Sequence, residues 1–149
     1  MKIRKCALEE ITEAIELAWS VFLEFEAPEY SQEGIDEFRH TLDDEKYING
    51  LQLYGAFEND EIVGILAMRA PQHISLFFVK AEYHRNGIGR KLFERMRKDY
   101  CLQEFTVNSS PYAVEVYRSL GFVNTDTEQV YNGIRFTPMK FDFACVRNT

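Results

Sequence analysis

Between His73 and Met96 the chain changes period within a few residues. The run HISLFFV lacks clean polar alternation, as expected for a strand covered on both faces in the middle of a sheet. After KAEYHRNGIG, residues Ile88, Leu92, Phe93 and Met96 recur at helical steps, with Arg90, Lys91, Glu94 and Arg95 around them. A buried strand that turns through Gly87 and Gly89 into an amphipathic helix needs partner strands on its edges and helices on its faces.

The remaining segments supply them. Lys2–Cys6 reads as a short strand, and Leu8, Ile11, Ala14, Ile15, Ala18, Trp19 and Phe22 mark one face of a helix. Pro28 interrupts that pattern, so EFEAPEYS reads as a loop rich in acids and aromatics, after which Ser31 caps a second helix carrying Ile35, Phe38 and Leu42. LQLYGAFEN and EIVGILAMRA form a hairpin about Asn59-Asp60, and EFTVNS is a further strand. SPYAVEVYRSL is a short helix ended by Gly121, and FVNTDTEQVYNGIRFTPMKFDF gives two strands joined near Asn132-Gly133. The order β, α, α, β, β, β, α, β, α, β, β predicts a mixed sheet with helices on its faces, in the α/β to α+β range.

Composition narrows the class. A chain of 149 residues, 46% hydrophobic, predicts one domain over 1–149 that buries about 68–70% of its unfolded surface without staples. Cys6, Cys101 and Cys145 lack the spacing of a disulfide framework or a zinc site, which points to a reduced, cytoplasmic setting and no metal. No apolar run approaches the about 20 residues of a membrane span, and MKIRKCALEE lacks the apolar core of a secretory leader, so the chain reads as mature and without a membrane partner. Seventeen basic against 24 acidic residues leave −7, which argues against nucleic acid, whose phosphates dominate affinity.

The chemistry starts at HRNGIGRKL. Glycines at a helix start let backbone amides approach a phosphate or pyrophosphate, which Arg85 and Arg90 can also bond, while Asn86 tolerates unusual backbone angles. Alternatively the segment is a tight strand-to-helix turn with no ligand. The Gly-Lys-Ser/Thr ending of a nucleotide-triphosphate loop and the three-glycine dinucleotide fingerprint are both lacking.

His84-Arg85-Asn86-Gly87-Ile88-Gly89 resembles the Gln/Arg-x-x-Gly-x-Gly/Ala signature of the GNAT superfamily of acyl-CoA-dependent N-acetyltransferases, with His84 standing at the Gln/Arg position. A second block, Asn108, Ala113, Tyr117 and Leu120-Gly121-Phe122, is similar to that family's closing segment. The resemblance implies a mainly antiparallel central sheet with helices on both faces and acetyl transfer from acetyl-CoA to a primary amine. The acceptor would be a small molecule or an amino terminus, and a homodimer is compatible with this reading. It implies that Phe78, Val79, His84 to Arg90, Asn108 and Tyr117 hold the acyl donor.

Tyr117 is then the acid that protonates the departing thiolate, or else a packing residue with a satisfied hydroxyl. Asn108 touches the cofactor arm or caps the following helix. For the base, the family spacing leads to His73, with Ser75 on the same side by strand parity; the alternatives are an edge histidine bonded to its surroundings, with another side chain or ordered water taking the proton. Glu24, Glu26 and Glu29, interleaved with Phe25 and Tyr30, form either a wall for a cationic amine or a solvated acidic loop. Lysine acetylation on proteins, a non-catalytic acyl-CoA sensor and an interaction module without a ligand are the competing functions.

Overall fold

The computed structural model describes residues 1–70, 72–101 and 104–142. Pro71, Cys145 and Phe143, the end of the last expected strand, lie outside the described residues. The elements are β1 (Lys2–Lys5), α1 (Ile11–Val21), α2 (Gln32–Asp43), α3 (Glu45–Asn49), β2 (Leu51–Glu58), β3 (Glu61–Arg69), β4 (His73–Val79), α4 (Ile88–Tyr100), β5 (Glu104–Ser109), α5 (Val114–Leu120), β6 (Phe122–Asn124), β7 (Gln129–Tyr131) and β8 (Ile134–Asp142).

The strands form an eight-stranded sheet in the order β1-β2-β3-β4-β5-β8-β6, with β7 on β8. Every pairing is antiparallel except β4 with β5. Apolar side chains of α1 and α2 pack on one face of the sheet and those of α4 and α5 on the other. The fold is thus the mixed, mainly antiparallel α/β arrangement that the sequence implied.

Local chemistry explains most boundaries. Asn59 and Asp60, and again Asn132 and Gly133, hold positive φ in paired left-handed turns, which match strand twist in two-residue hairpins. Ser31 caps α2 by accepting the Gly34 N–H at 3.3 Å.

Three expectations change. EFEAPEYS is not an open loop: α1 runs on as a π-turn over Phe22–Glu26 and a 3₁₀ turn over Ala27–Glu29. Pro28 is tolerated because it stands in the first turn, where a missing N–H breaks no bond. The five-residue helix α3 follows Asp44, whose carboxylate accepts the Lys46 and Tyr47 N–H groups. Finally, the segment from Phe122 splits into β6 and β7, so three short strands rather than two close the chain.

Candidate active site

The parallel joint of β4 and β5 opens the site. The two strands pair only at His73↔Thr106 and Ile74↔Val107, whereas β4 stays on β3 as far as Gly64↔Val79. Beyond Ile74 the strands part, and a cleft runs through the gap. One lobe, of about 570 Å³, lies against the glycine loop. The other, of about 520 Å³, lies against α2 and the β7–β8 hairpin. Glu26, Phe77, Phe78, Ala113 and Tyr117 line both lobes, so the lobes meet there.

In the first lobe Gly87 takes φ 75 and no side chain caps α4, leaving the first helical amides free to meet an anion. The second left-handed residue is Arg85, at φ 65, rather than Asn86. A Cβ on Gly89 would stand 3.2 Å from the Phe77 ring, so glycine lets the helix start approach β4. His84 donates its Nε2–H to the Val79 carbonyl at 2.7 Å, and its ring packs on Phe25 at 4.8 Å. The imidazole thus closes off the end of β4 and fixes its own tautomer.

The second lobe is assembled from distant segments. The hairpin turn meets α2 backbone to backbone, since a Cβ at Gly34 would collide with the Gly133 carbonyl. Tyr30 donates its hydroxyl to the Arg135 carbonyl at 3.1 Å, and the Arg135 guanidinium bridges Glu29 and Glu128. The acidic segment therefore anchors the hairpin that walls this lobe, and of its acids only Glu26 faces the cleft.

At the junction, burial pushes the Glu26 carboxyl up to about 7, against a smaller downward pull from the Ser110 hydroxyl. Burial, and secondarily the Glu26 charge, raises the Tyr117 phenol well above its ordinary range, so it keeps its proton at neutral pH. The Tyr117 ring sits edge-on to Phe77 at 5.7 Å and Phe122 at 5.3 Å. Its hydroxyl makes no hydrogen bond among the described residues. A half-buried carboxyl held up near neutrality beside a phenol with an unused proton can accept one proton and deliver another.

Of the residues expected to hold the donor, Phe78, Val79, His84, Arg85, Gly87, Ile88, Gly89 and Tyr117 line the first lobe. Asn86 and Arg90 do not; the Arg90 guanidinium donates to the Ser119 carbonyl at 2.6 Å. Asn108 lines the second lobe, and Ser110, whose Oγ accepts the Ala113 N–H at 3.2 Å, caps the turn into α5. His73 lines neither lobe and hydrogen-bonds Thr106 at 2.8 Å across the strand joint. Burial and the nearby Arg69 charge lower its pKa.

At Ser75 β4 bulges, since Ala67 pairs with Leu76 and Met68 with Ile74. Ser75 lines the second lobe without His73. Glu26 was legible only as one acid among three. The usable signal was its spacing, four residues beyond Phe22 and eight beyond Ala18, on the line of the apolar face of α1.

A family model described as an acetyltransferase (GNAT) domain matches residues 26–143. Among solved structures, a GCN5-related N-acetyltransferase from Rhodopseudomonas palustris superposes with TM-score 0.81 at 21% identity, covering 95% of this chain and 94% of that chain. The PaiA N-acetyltransferase from Thermoplasma acidophilum, solved with coenzyme A, gives TM-score 0.75 at 24% identity, covering 95% and 98%. An aminoglycoside 6'-N-acetyltransferase, also complexed with coenzyme A, gives 0.63 at 13%, covering 96% and 97%. A comparison with curated protein sequences gave no match. Because the matched span runs from the acid at the cleft junction through the glycine loop to the last strand, the chain belongs to the GNAT acetyltransferase family.

Proposed function

We propose that the protein transfers the acetyl group of acetyl-CoA directly to a primary amine of a small molecule or an amino terminus, with both substrates bound at once. The first lobe takes the donor: the free amides of the glycine loop and Arg85 suit a pyrophosphate, and the unpaired edge of β4 suits the pantetheine arm. The second lobe takes the acceptor. The observation that carries the reading is the pairing of Glu26 and Tyr117 where the lobes meet.

An alkyl ammonium has an ordinary pKa of about 10.4 and cannot attack until it loses a proton. Glu26, with its pKa near 7, takes that proton at neutral pH. Nitrogen then bonds the acetyl carbon, and the carbon–sulfur bond breaks. Tyr117 gives its proton to the leaving sulfur, and the proton shed by the new amide nitrogen restores the phenol. Glu26 releases its proton to solvent. The Glu26 charge is one of the causes that raise the Tyr117 pKa, so a protonated Glu26 makes Tyr117 a better acid when the thiolate departs. His73, hydrogen-bonded to Thr106 at the strand joint, takes no proton on this route.

Release of free thiol from acetyl-CoA across a panel of amines, with calorimetric titration of acetyl-CoA alongside, tests the proposal. Acetyl-CoA binding with amine-dependent thiol release supports it. Binding with no release from any amine indicates a sensor, and no binding indicates neither.

A further inference from the structure

We propose that the acceptor is an aminocarboxylate, whose carboxylate is held by Arg69 while its amine lies at Glu26; this rests on the acetyl-transfer reading above. An arginine that lines a cleft without a protein partner has its donors free for an anion, and most arginines here are already bonded. Arg4, Arg39, Arg90, Arg95, Arg97, Arg118 and Arg135 each bond a carboxylate or a backbone carbonyl. Of the described arginines, only Arg69 and Arg85 make no hydrogen bond or ion pair, and both line the cleft, one in each lobe. Arg85 has the donor's phosphates to meet. Arg69, exposed at the end of β3, keeps its donors free in the other lobe.

Arg69 ends β3 opposite His73, and its charge lowers the pKa of His73 and opposes the burial that raises the Tyr47 phenol. The Ser75 Oγ at the bulge is buried without a well-formed hydrogen bond, although the Tyr47 phenol interacts with it weakly. A guanidinium and two neighbouring hydroxyls give this corner an excess of donors, which is the chemistry of an anion site. One guanidinium, with no second cation lining the lobe, suits a singly charged carboxylate better than a phosphate.

The opposite sign is present too. Glu37, from α2, lines the same lobe, and its carboxylate makes no ion pair among the described residues. A lobe that holds Glu26 and Glu37 for an ammonium and Arg69 for a carboxylate is complementary to a zwitterion. Phe22, Phe38 and Phe136 give the same lobe an apolar wall against which an apolar side chain can pack.

The test compares each apolar or aromatic amino acid with the amine left when its carboxylate is removed, such as phenylalanine with phenethylamine. Thiol release by the full chain should give kcat/KM roughly 10- to 100-fold higher for the acid of at least one pair. In Arg69→Gln that ratio should collapse toward 1 through a raised KM for the acid, and Arg69→Lys should restore part of it. A parent ratio within about threefold of 1 for every pair that turns over overturns the assignment, as does a ratio that survives in Arg69→Gln. If Arg69→Gln fails to fold, the parent ratio decides alone. Thiol release from no member of either set, with acetyl-CoA still bound, overturns the transfer reading itself and this assignment with it.

Discussion

The two lobes share Phe77, Phe78 and Tyr117 but are built by different means. The donor lobe is largely local: one strand end, one glycine loop and one helix start supply its amides within Phe77–Gly89. The acceptor lobe draws on the π-turn after α1, on α2, α3, the end of β3, β4, β5 and the β7–β8 hairpin. A site of backbone amides suits one constant ligand, because main-chain geometry does not vary with side-chain identity. A site of side chains from many elements can be changed one residue at a time, and in the proposed reaction specificity resides there.

The contrast can be broken at its shared wall. Tyr117→Phe keeps the ring against Phe77 and Phe122 and removes only the proton. Turnover at saturating substrates should fall by about 10²–10⁴-fold with acetyl-CoA affinity retained, as measured by thiol release and calorimetry on one preparation. Turnover within about threefold of the parent removes the acid from Tyr117.

The donor lobe alone is tested by Gly89→Val. Its Cβ would stand 3.2 Å from Phe77, with two methyls beyond. Overpacking of about 1–3 kcal/mol should weaken acetyl-CoA binding by roughly 10- to 100-fold while the thermal melt remains cooperative. Gly87→Ala meets no atom but forces a side chain into φ 75, so its cost should appear in stability before affinity.

A smaller effect is expected from Glu26 in the absence of substrate. Its folded pKa of about 7, against 4.5 unfolded, means that the native state holds a proton the unfolded chain has lost between those values. Stability therefore falls as pH rises from 4.5 to about 7 and changes no further above it. Allowing for partial exposure, Glu26→Gln should gain about 2 kcal/mol at pH 8, a Tm rise of roughly 5 °C, and nothing at pH 4. Smallest of all, His73→Ala should change kcat/KM by less than about threefold, or about 0.65 kcal/mol of barrier, because His73 lines neither lobe.

What the sequence disclosed follows the same division. β4, the glycine loop and the start of α4 were legible because period, glycine placement and helix-start chemistry are local. β5 and the hairpin turns at Asn59-Asp60 and Asn132-Gly133 were legible for the same reason. Less could be read where pairing sets geometry. The bulge at Ser75, where Ala67 pairs with Leu76 and Met68 with Ile74, comes from pairing with β3, which no local period shows. The helical path of EFEAPEYS depends on packing against the sheet, which overrode the break implied by Pro28. Glu26 acquires its distinction from Glu24 and Glu29 through burial, which no spacing of acids reveals.

The central claim is that a carboxyl at the meeting of the lobes is the base, and the pH dependence of kcat/KM tests it most directly. With a good acceptor, log kcat/KM should rise with unit slope through an apparent pKa near 7 and then level. In Glu26→Gln the rate at neutral pH should fall by about 10²–10⁴-fold and that limb should vanish, with acetyl-CoA binding intact. A Glu26→Gln profile that keeps the limb near pH 7 at nearly the parent's rate would contradict the account.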